Sequence, residues 1–174
     1  SIRASPVLHV DETGWREDGH NGYLWTFSTA TARVFVRGRR ERAVLEQMVG
    51  DDYPGVLVSD FYAAYTSYEG RHQYCWAHLL RDVDDLVAQH RQDAAVVGWA
   101  DGLHAVYQRA CAVASPDPAT RRQARAACEA TLGALCAPYL GLAAAPQRIL
   151  CARITTHLSA LFVFVENPAG PPTN

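Results

Sequence analysis

Apolar residues that alternate with polar ones, or run together over a few positions, predict strands in the first half of the chain. The predicted strands are residues 7–12, 23–28, 33–37, 56–59 and 72–75. The first three follow one another closely and predict an antiparallel meander. Helical spacing of apolar residues from Glu41 predicts a helix that ends at Gly50, and a short second helix is expected at residues 61–67. The predicted order is three strands, helix, strand, helix, strand.

From Ala77 onward the apolar residues recur at helical spacing only. Helices are predicted from Ala77 and then at residues 94–113, 119–136 and 147–165, and Asn167-Pro168 is expected to end the last one. The pattern therefore predicts an α/β (mixed α+β) fold, with a mixed five-stranded sheet, flanking helices and an α-helical insertion. Residues 1–76 are the predicted sheet region and residues 77–174 the predicted helical region.

The charge of the chain gives no general signature of a nucleic-acid-binding protein, because the formal net charge is −2. All 16 basic residues are Arg, however, and they cluster at residues 37–42 and 121–125. Arg is the better bidentate partner for phosphate, although a solvated surface is an equally ordinary use of such a cluster. No apolar run is long enough to span a membrane, so no membrane partner is expected.

The five cysteines form no C-x-x-C pair, which favours a reducing, cytosolic setting. Cys75 and His78 have the spacing of half a zinc site, but no second pair matches them, so zinc is not expected. The chain begins without Met, which suggests a piece of a longer protein.

Two acids follow apolar strand segments in the same way. Residues 7–10 run into Asp11, and residues 56–58 run through Ser59 into Asp60. If these strands are neighbours in one sheet, the two carboxylates can meet and bind a divalent cation such as Mg²⁺, which takes oxygen ligands. The alternative is that each Asp serves a turn or a helix cap. Glu12 is expected to point to the opposite face and to be structural.

Aromatic and basic residues near these acids are candidates for DNA contacts. Trp15 and Trp76 have flat rings on which a base can stack, and core packing is the alternative for each. His78 and Arg81 lie three residues apart on one predicted helix, where they can contact a phosphate or serve the start of the helix.

Three ordered motifs resemble the transposase domain of the IS66 insertion-sequence family. They are DETGWR at residues 11–16, GVLVSDFYAAY at residues 55–65 and CWAHLLRD at residues 75–82. One small departure is Gly14, where the family usually has Pro. The resemblance extends through nearly the whole chain.

The resemblance implies a DDE transposase on a ribonuclease H-like sheet. Asp11 and Asp60 correspond to the first two catalytic, metal-binding acids, and the complete site would hold two Mg²⁺ ions, for which Mn²⁺ can substitute. Trp15, Arg16, Trp76, His78 and Arg81 are then the candidate nucleic-acid contacts.

The resemblance also implies the protein's partners: DNA at the element ends and at the target, and further copies of the same chain in a synaptic complex. It implies a bacterial, nucleoid-associated location.

The family's third acid falls beyond Asn174, and Glu166 is the nearest acid present. Glu166 is expected to be a solvated helix-end residue, so this chain alone is expected to be inactive. Two alternatives remain open at this point, namely a ribonuclease H-like nuclease without strand transfer and a truncated, non-catalytic remnant that binds DNA or protein.

Overall fold

The computed structural model describes residues 2–50, 53–167 and 170–173 of the 174-residue chain. These residues fall into two compact units. The first unit lies within Ser1–Cys75 and Ala169–Asn174, and the second lies within Trp76–Pro168. All strands of the described residues belong to the first unit.

Five strands form one mixed sheet in the described part of the first unit, which confirms the predicted fold class. The strands are β1 Val7–Glu17, β2 His20–Ser28, β3 Arg33–Gly38, β4 Val56–Ser59 and β5 His72–Tyr74. Their spatial order is β3-β2-β1-β4-β5. β1, β2 and β3 form the predicted antiparallel meander, whereas β4 lies parallel to both β1 and β5. β1 is therefore the central strand, with an antiparallel neighbour on one side and a parallel neighbour on the other.

Strand β1 is longer than the hydrophobic pattern predicted. It continues past residue 12 to Glu17 and pairs with β2 across the two-residue turn Asp18-Gly19. The φ angles of these two residues are 49° and 80°, the positive values that a tight hairpin turn requires and that Asp and Gly tolerate. The predicted end of this strand at residue 12, just after Asp11, is therefore wrong, because pairing with β2 keeps the backbone extended on both sides of Asp11.

One face of the sheet packs on two short helices and forms the core of the first unit. Helix α1 is Arg42–Val49, and helix α2 is Ala63–Thr66. The strand residues fully buried in this core are Leu8, Val10, Trp25, Phe27 and Leu57. Gly50, with a φ of 78°, ends α1 as predicted.

The second unit contains the remaining helices of the described residues. They are α3 Trp76–Gln89, α4 Ala94–Cys111, α5 Pro118–Leu140, α6 Arg148–Thr156 and α7 Val163–Glu166. α4 and α5 each start at an Asp cap: the Asp93 carboxylate accepts the backbone N–H groups of residues 95 and 96, and Asp117 accepts those of residues 119 and 120. Among the described residues, no helix combines the length and the apolar character needed to cross a membrane.

The last predicted helix, residues 147–165, is not continuous. α6 ends at Thr156, a 3₁₀ segment covers Leu158–Leu161, and α7 begins at Val163. The prediction of one continuous helix is wrong. The apolar residues keep helical spacing across residues 147–165, but the backbone leaves the α-helical conformation at His157 and again at Phe162. Leu161 and Phe162 are buried at the second break, so tertiary packing outweighs helix continuity there. Pro168, which was expected to end this helix, lies outside the described residues.

Gly55, just before β4, provides a test of packing in the first unit. A Cβ at residue 55 would lie 2.7 Å from the carbonyl oxygen of Ser5 and would also collide with the ring of Tyr53, whose hydroxyl donates to that same oxygen at 2.7 Å. We expect Gly55→Ala to lower the free energy of unfolding by roughly 1–3 kcal/mol, as overpacking does. Gly14→Ala is the matched control, because its Cβ would meet no atom within 4 Å. Urea denaturation of both variants is the measurement, and equal stability of the two would contradict the prediction.

Candidate functional site

Asp11 and Asp60 lie at corresponding positions on neighbouring strands. β1 and β4 run parallel, and the last pair of their ladder joins His9 to Val58. Two residues beyond this pair, the two segments reach Asp11 and Asp60. Because neighbouring strands lie about 4.8 Å apart, the backbone of Asp11, within β1, lies close to the carboxyl end of β4, where Asp60 follows. The expectation that the two strands are neighbours is confirmed.

The position of Asp60 is held by hydrogen bonds at the end of β4. The backbone N–H of Tyr62 donates to Oδ1 of Asp60 at 2.9 Å. The fully buried hydroxyl of Ser59 donates to the carbonyl oxygen of Asp60 at 2.9 Å and lies 2.8 Å from Nε2 of His72 on β5. These contacts anchor both the backbone and the carboxylate of the half-buried Asp60.

Asp11 lies on the face of the sheet opposite the core. This face is buried along β4 but accessible from Asp11 onward in β1 and along β2 and β3, and this accessible part is called the open face. Its side chain is exposed, and its Oδ1 accepts the backbone N–H of Glu12 at 3.0 Å. Since side chains alternate along a strand, Asp11 shares this face with Thr13 and Trp15. A ligand that approaches the open face can therefore reach the Asp11 carboxylate.

Glu12 points the other way, as expected, and its environment is that of a buried ion pair. Only 1% of its side chain is exposed, and its Oε1 accepts from Nε of Arg40 at 2.8 Å. Its Oε2 accepts from the hydroxyl of Tyr65 on α2. Burial raises the pKa of Glu12, and the charge of Asp60 adds to this, while the hydrogen bonds from Tyr65 and Arg40 oppose it.

Sequence reasoning missed the roles of Arg40 and Tyr65 in this site. Arg40 was assigned with its neighbours to phosphate contacts or a solvated surface, yet it pairs with Glu12 and lies 4.0 Å from the ring centre of Tyr62. Tyr65 stands in the second motif, where its spacing of five residues from Asp60 was the only available signal.

Several negative charges act on the ring of Tyr65. Burial raises the pKa of Tyr65 far above its ordinary value, and the hydrogen bond to Glu12 raises it further. The charges of Asp60 and Asp11 act in the same direction, so both acids lie within electrostatic range of one tyrosine. Burial, and then the charge of Asp60, also raise the pKa of Tyr74 to about 12. The carboxylates of Glu12, Asp60 and Asp11 therefore act on one tyrosine, Tyr65, in the same direction.

The carboxylates of Asp11 and Asp60 suit a hard divalent cation. Asp11 and Asp60 supply carboxylate oxygens, which are the ligands that Mg²⁺ and Mn²⁺ prefer. Among the described residues, no group of three or more His, Cys, Asp or Glu side chains is placed to hold a metal ion. The two carboxylates thus fit such an ion chemically but form an incomplete set of protein ligands.

The two candidate tryptophans differ in exposure. Trp15 on β1 is 52% exposed, and Arg16 beside it is exposed too. Trp76 is fully buried within the second unit, where its Nε1 donates to the carbonyl oxygen of Leu161 at 2.6 Å and its ring contacts Tyr107. Trp76 therefore presents no face to a base in this structure, and its contacts are those of core packing.

His78 and Arg81 both lie on α3, one helical turn apart. His78 is half-buried and Arg81 is exposed. Their contact with a phosphate stays a prediction.

Glu166 at the end of α7 belongs to an ion-pair network of the second unit. Its Oε1 accepts from Nη1 of Arg125 at 2.9 Å, and the same guanidinium donates to Glu129 at 2.7 Å and to the carbonyl oxygen of Ser159 at 2.8 Å. These contacts give Glu166 a structural role.

The hydrogen bond from Tyr65 to Glu12 leads to a prediction about pH. Because this bond stabilises the ionised carboxylate, we expect Tyr65→Phe to cost roughly 1–3 kcal/mol of stability at pH 7 and less at pH 4. The sign follows from linkage: loss of the donor raises the Glu12 pKa further, so the variant loses stability relative to wild type as the pH rises through the wild-type pKa of Glu12, which burial places above its ordinary value. Urea denaturation at several pH values is the measurement.

Tyr62→Phe is the matched control for that experiment. The Tyr62 hydroxyl donates to the exposed carbonyl oxygen of Arg40 at 2.7 Å, a neutral acceptor. Removal of the Tyr62 hydroxyl should lower the free energy of unfolding by less than Tyr65→Phe does, and by the same amount at pH 4 and pH 7. A pH-independent loss in Tyr65→Phe would contradict the prediction.

Comparison with sequence models of protein families gave a match. The sequence model of the transposase IS66 family matches residues 1–174, which is the whole chain. Comparison with curated proteins and with solved structures gave no match. The family match agrees with the resemblance of the three motifs. Because the match covers the entire sequence, the chain belongs to the transposase IS66 family.

Proposed function

We propose that this chain is the catalytic region of an IS66 transposase that cuts and joins DNA by a DDE-type mechanism. The observation that carries the proposal is the parallel register of β1 and β4, in which Asp11 and Asp60 each come two residues after the last paired residues, His9 and Val58. The order of three antiparallel strands, helix, strand, helix, strand supports a ribonuclease H-like sheet.

In this proposal Asp11 and Asp60 hold divalent metal, with Mg²⁺ as the natural ion, Mn²⁺ as a substitute and two ions in the complete site. Bound metal would supply activation of water or of a 3′-hydroxyl and stabilisation of the leaving oxygen. The chain itself orients the carboxylates: the Tyr62 N–H and Ser59 hold Asp60, and the β1 ladder holds Asp11.

Glu12 and Arg40 support this arrangement from the core face of the sheet. Their pairing compensates one negative charge beside Asp60, so the remaining charge is that of the two proposed ligands. The proposed partners are the DNA of the element ends and of the target, together with further copies of the chain.

Metal binding can be tested by thermal melts. With two protein ligands a Kd in the millimolar range is expected, so tens of millimolar Mg²⁺ should stabilise the protein by about 1 kcal/mol. This corresponds to a rise of about 2–4 °C in Tm for a chain of this size. Asp60→Asn should abolish the rise and be at least as stable as wild type in chelator, because its amide oxygen still accepts the Tyr62 N–H while one of the two uncompensated negative charges near Tyr65 is removed.

Glu166→Gln is the control for the melts, because its carboxylate pairs with Arg125 and takes no part in the proposed site. It should show the same metal-dependent rise as wild type. An equal rise in Asp60→Asn would exclude Asp60 as a ligand.

The DNA chemistry can be tested by a transposition assay in cells that express the transposase containing this chain. Asp11→Asn and Asp60→Asn should each reduce transposition to background, since each removes a proposed ligand of the metal. Glu166→Gln should retain transposition. Joining of DNA by the Asp60→Asn protein would refute the proposal, whereas cleavage without joining by the unmutated protein would indicate a nuclease.

A further inference from the structure

The open face of β1, β2 and β3 combines exposed aromatic rings with arginines. Phe35 on β3 is 61% exposed and Trp15 on β1 is 52% exposed, which places both among the exposed large apolar residues of the described chain. On β3, Arg33 and Arg37 flank Phe35 at two-residue spacing, and both are exposed. Alternation along the strand puts these three side chains on one face.

The strand register relates this face to Asp11. Asp11 pairs with Thr26, and Thr26 pairs with Phe35, so the three residues form one row across the sheet. Two strand spacings separate Phe35 from Asp11, which is roughly 10 Å. Trp15 lies four residues further along β1 than Asp11, roughly 13 Å away. Exposed rings therefore stand on two sides of Asp11, one across the sheet and one along it.

Concave surface is present at both ends of this face. A cavity of about 690 Å³ has Asp11, Thr26 and Arg33 in its lining. A second cavity, of about 500 Å³, has Trp15 and Arg37 in its lining. The first cavity thus joins the proposed metal ligand Asp11 to an arginine, and the second joins the exposed ring of Trp15 to an arginine.

We propose that this open face binds an unpaired DNA strand, with bases stacked on Phe35 and Trp15 and phosphates paired with Arg33 and Arg37. Aromatic rings with interleaved arginines on a sheet surface are complementary to an unpaired strand, whose bases offer flat faces and whose backbone is anionic. A duplex keeps its bases stacked on one another, so it cannot use the rings in this way. The proposal deepens the proposed function and rests on it, because it assigns a path for the strand that reaches Asp11.

The rings provide the first test, made in chelator so that the result does not depend on metal. Fluorescence anisotropy with a labelled 12-nucleotide single strand should show binding that Phe35→Ala weakens by roughly 5- to 150-fold, the usual effect of losing one stacked base. Phe35→Trp should restore binding, and a duplex of the same sequence should bind more weakly and respond less to Phe35→Ala. Ile149→Ala, an equally exposed apolar residue of the second unit, is the matched control and should bind within twofold of wild type.

The phosphate contact has a test of its own. Arg33→Gln should reduce the slope of log K against log salt by about 0.7, the value for one phosphate contact on a single strand. Arg109→Gln, which removes an exposed arginine of α4, should leave the slope unchanged. Equal changes in both variants would mean that the single strand is attracted only by the general charge of the protein, and would overturn the proposal.

Two further outcomes separate this inference from its alternatives. If Phe35→Ala binds the single strand as wild type does, or if wild type forms a dimer in light scattering that Phe35→Ala dissociates, the face does not bind DNA as proposed. Asp60→Asn should bind the strand normally in chelator, while Phe35→Ala should keep the metal-dependent rise in Tm. If wild type shows the metal-dependent rise in Tm but does not bind the strand, the inference about the open face has failed. If wild type binds the strand but shows no metal-dependent rise, the proposed metal site has failed.

Discussion

The candidate site depends on the register of the central strand β1. Because side chains alternate, a shift of one residue would exchange Asp11 and Glu12 between the open face and the core. Leu8 and Val10 in the core, the Asp18-Gly19 turn and the Glu12 ion pair all favour the observed register. Stability and the proposed chemistry are therefore linked through the same strand, and core substitutions near β1 should affect both.

Charge is distributed unequally about this strand. On the core side, Glu12 is compensated by Arg40 and by the Tyr65 hydroxyl, which makes its burial tolerable. On the other side, Asp11 in β1 and Asp60 after β4 accept backbone N–H groups but have no ion pair within the described residues. The negative charge of these two carboxylates is thus left for an external cation to neutralise.

The second unit contributes packing and ion pairs in its described residues. Trp76 and Glu166, which sequence reasoning had considered for the site, contact other residues of that unit instead. Hydrogen bonding explains this outcome. The indole N–H of Trp76 donates to a backbone carbonyl oxygen, and the carboxylate of Glu166 pairs with Arg125. Such pairings join residues 41 and 85 positions apart, which no local pattern reveals.

Local patterns by themselves determined the strand segments, the helix that Gly50 ends, the mixed sheet and the family motifs that contain Asp11 and Asp60. Hydrophobic alternation and turn residues act over a few positions, so these features could be predicted from the sequence. Tertiary structure alone decided the extension of β1 to Glu17, the breaks at His157 and Phe162, and the pairing of Glu12 with Arg40 and Tyr65. The extension of β1 depends on its pairing with β2 across the Asp18-Gly19 turn. The other features depend on partners distant in sequence, whose hydrogen bond, charge or buried surface exists only after the chain has folded.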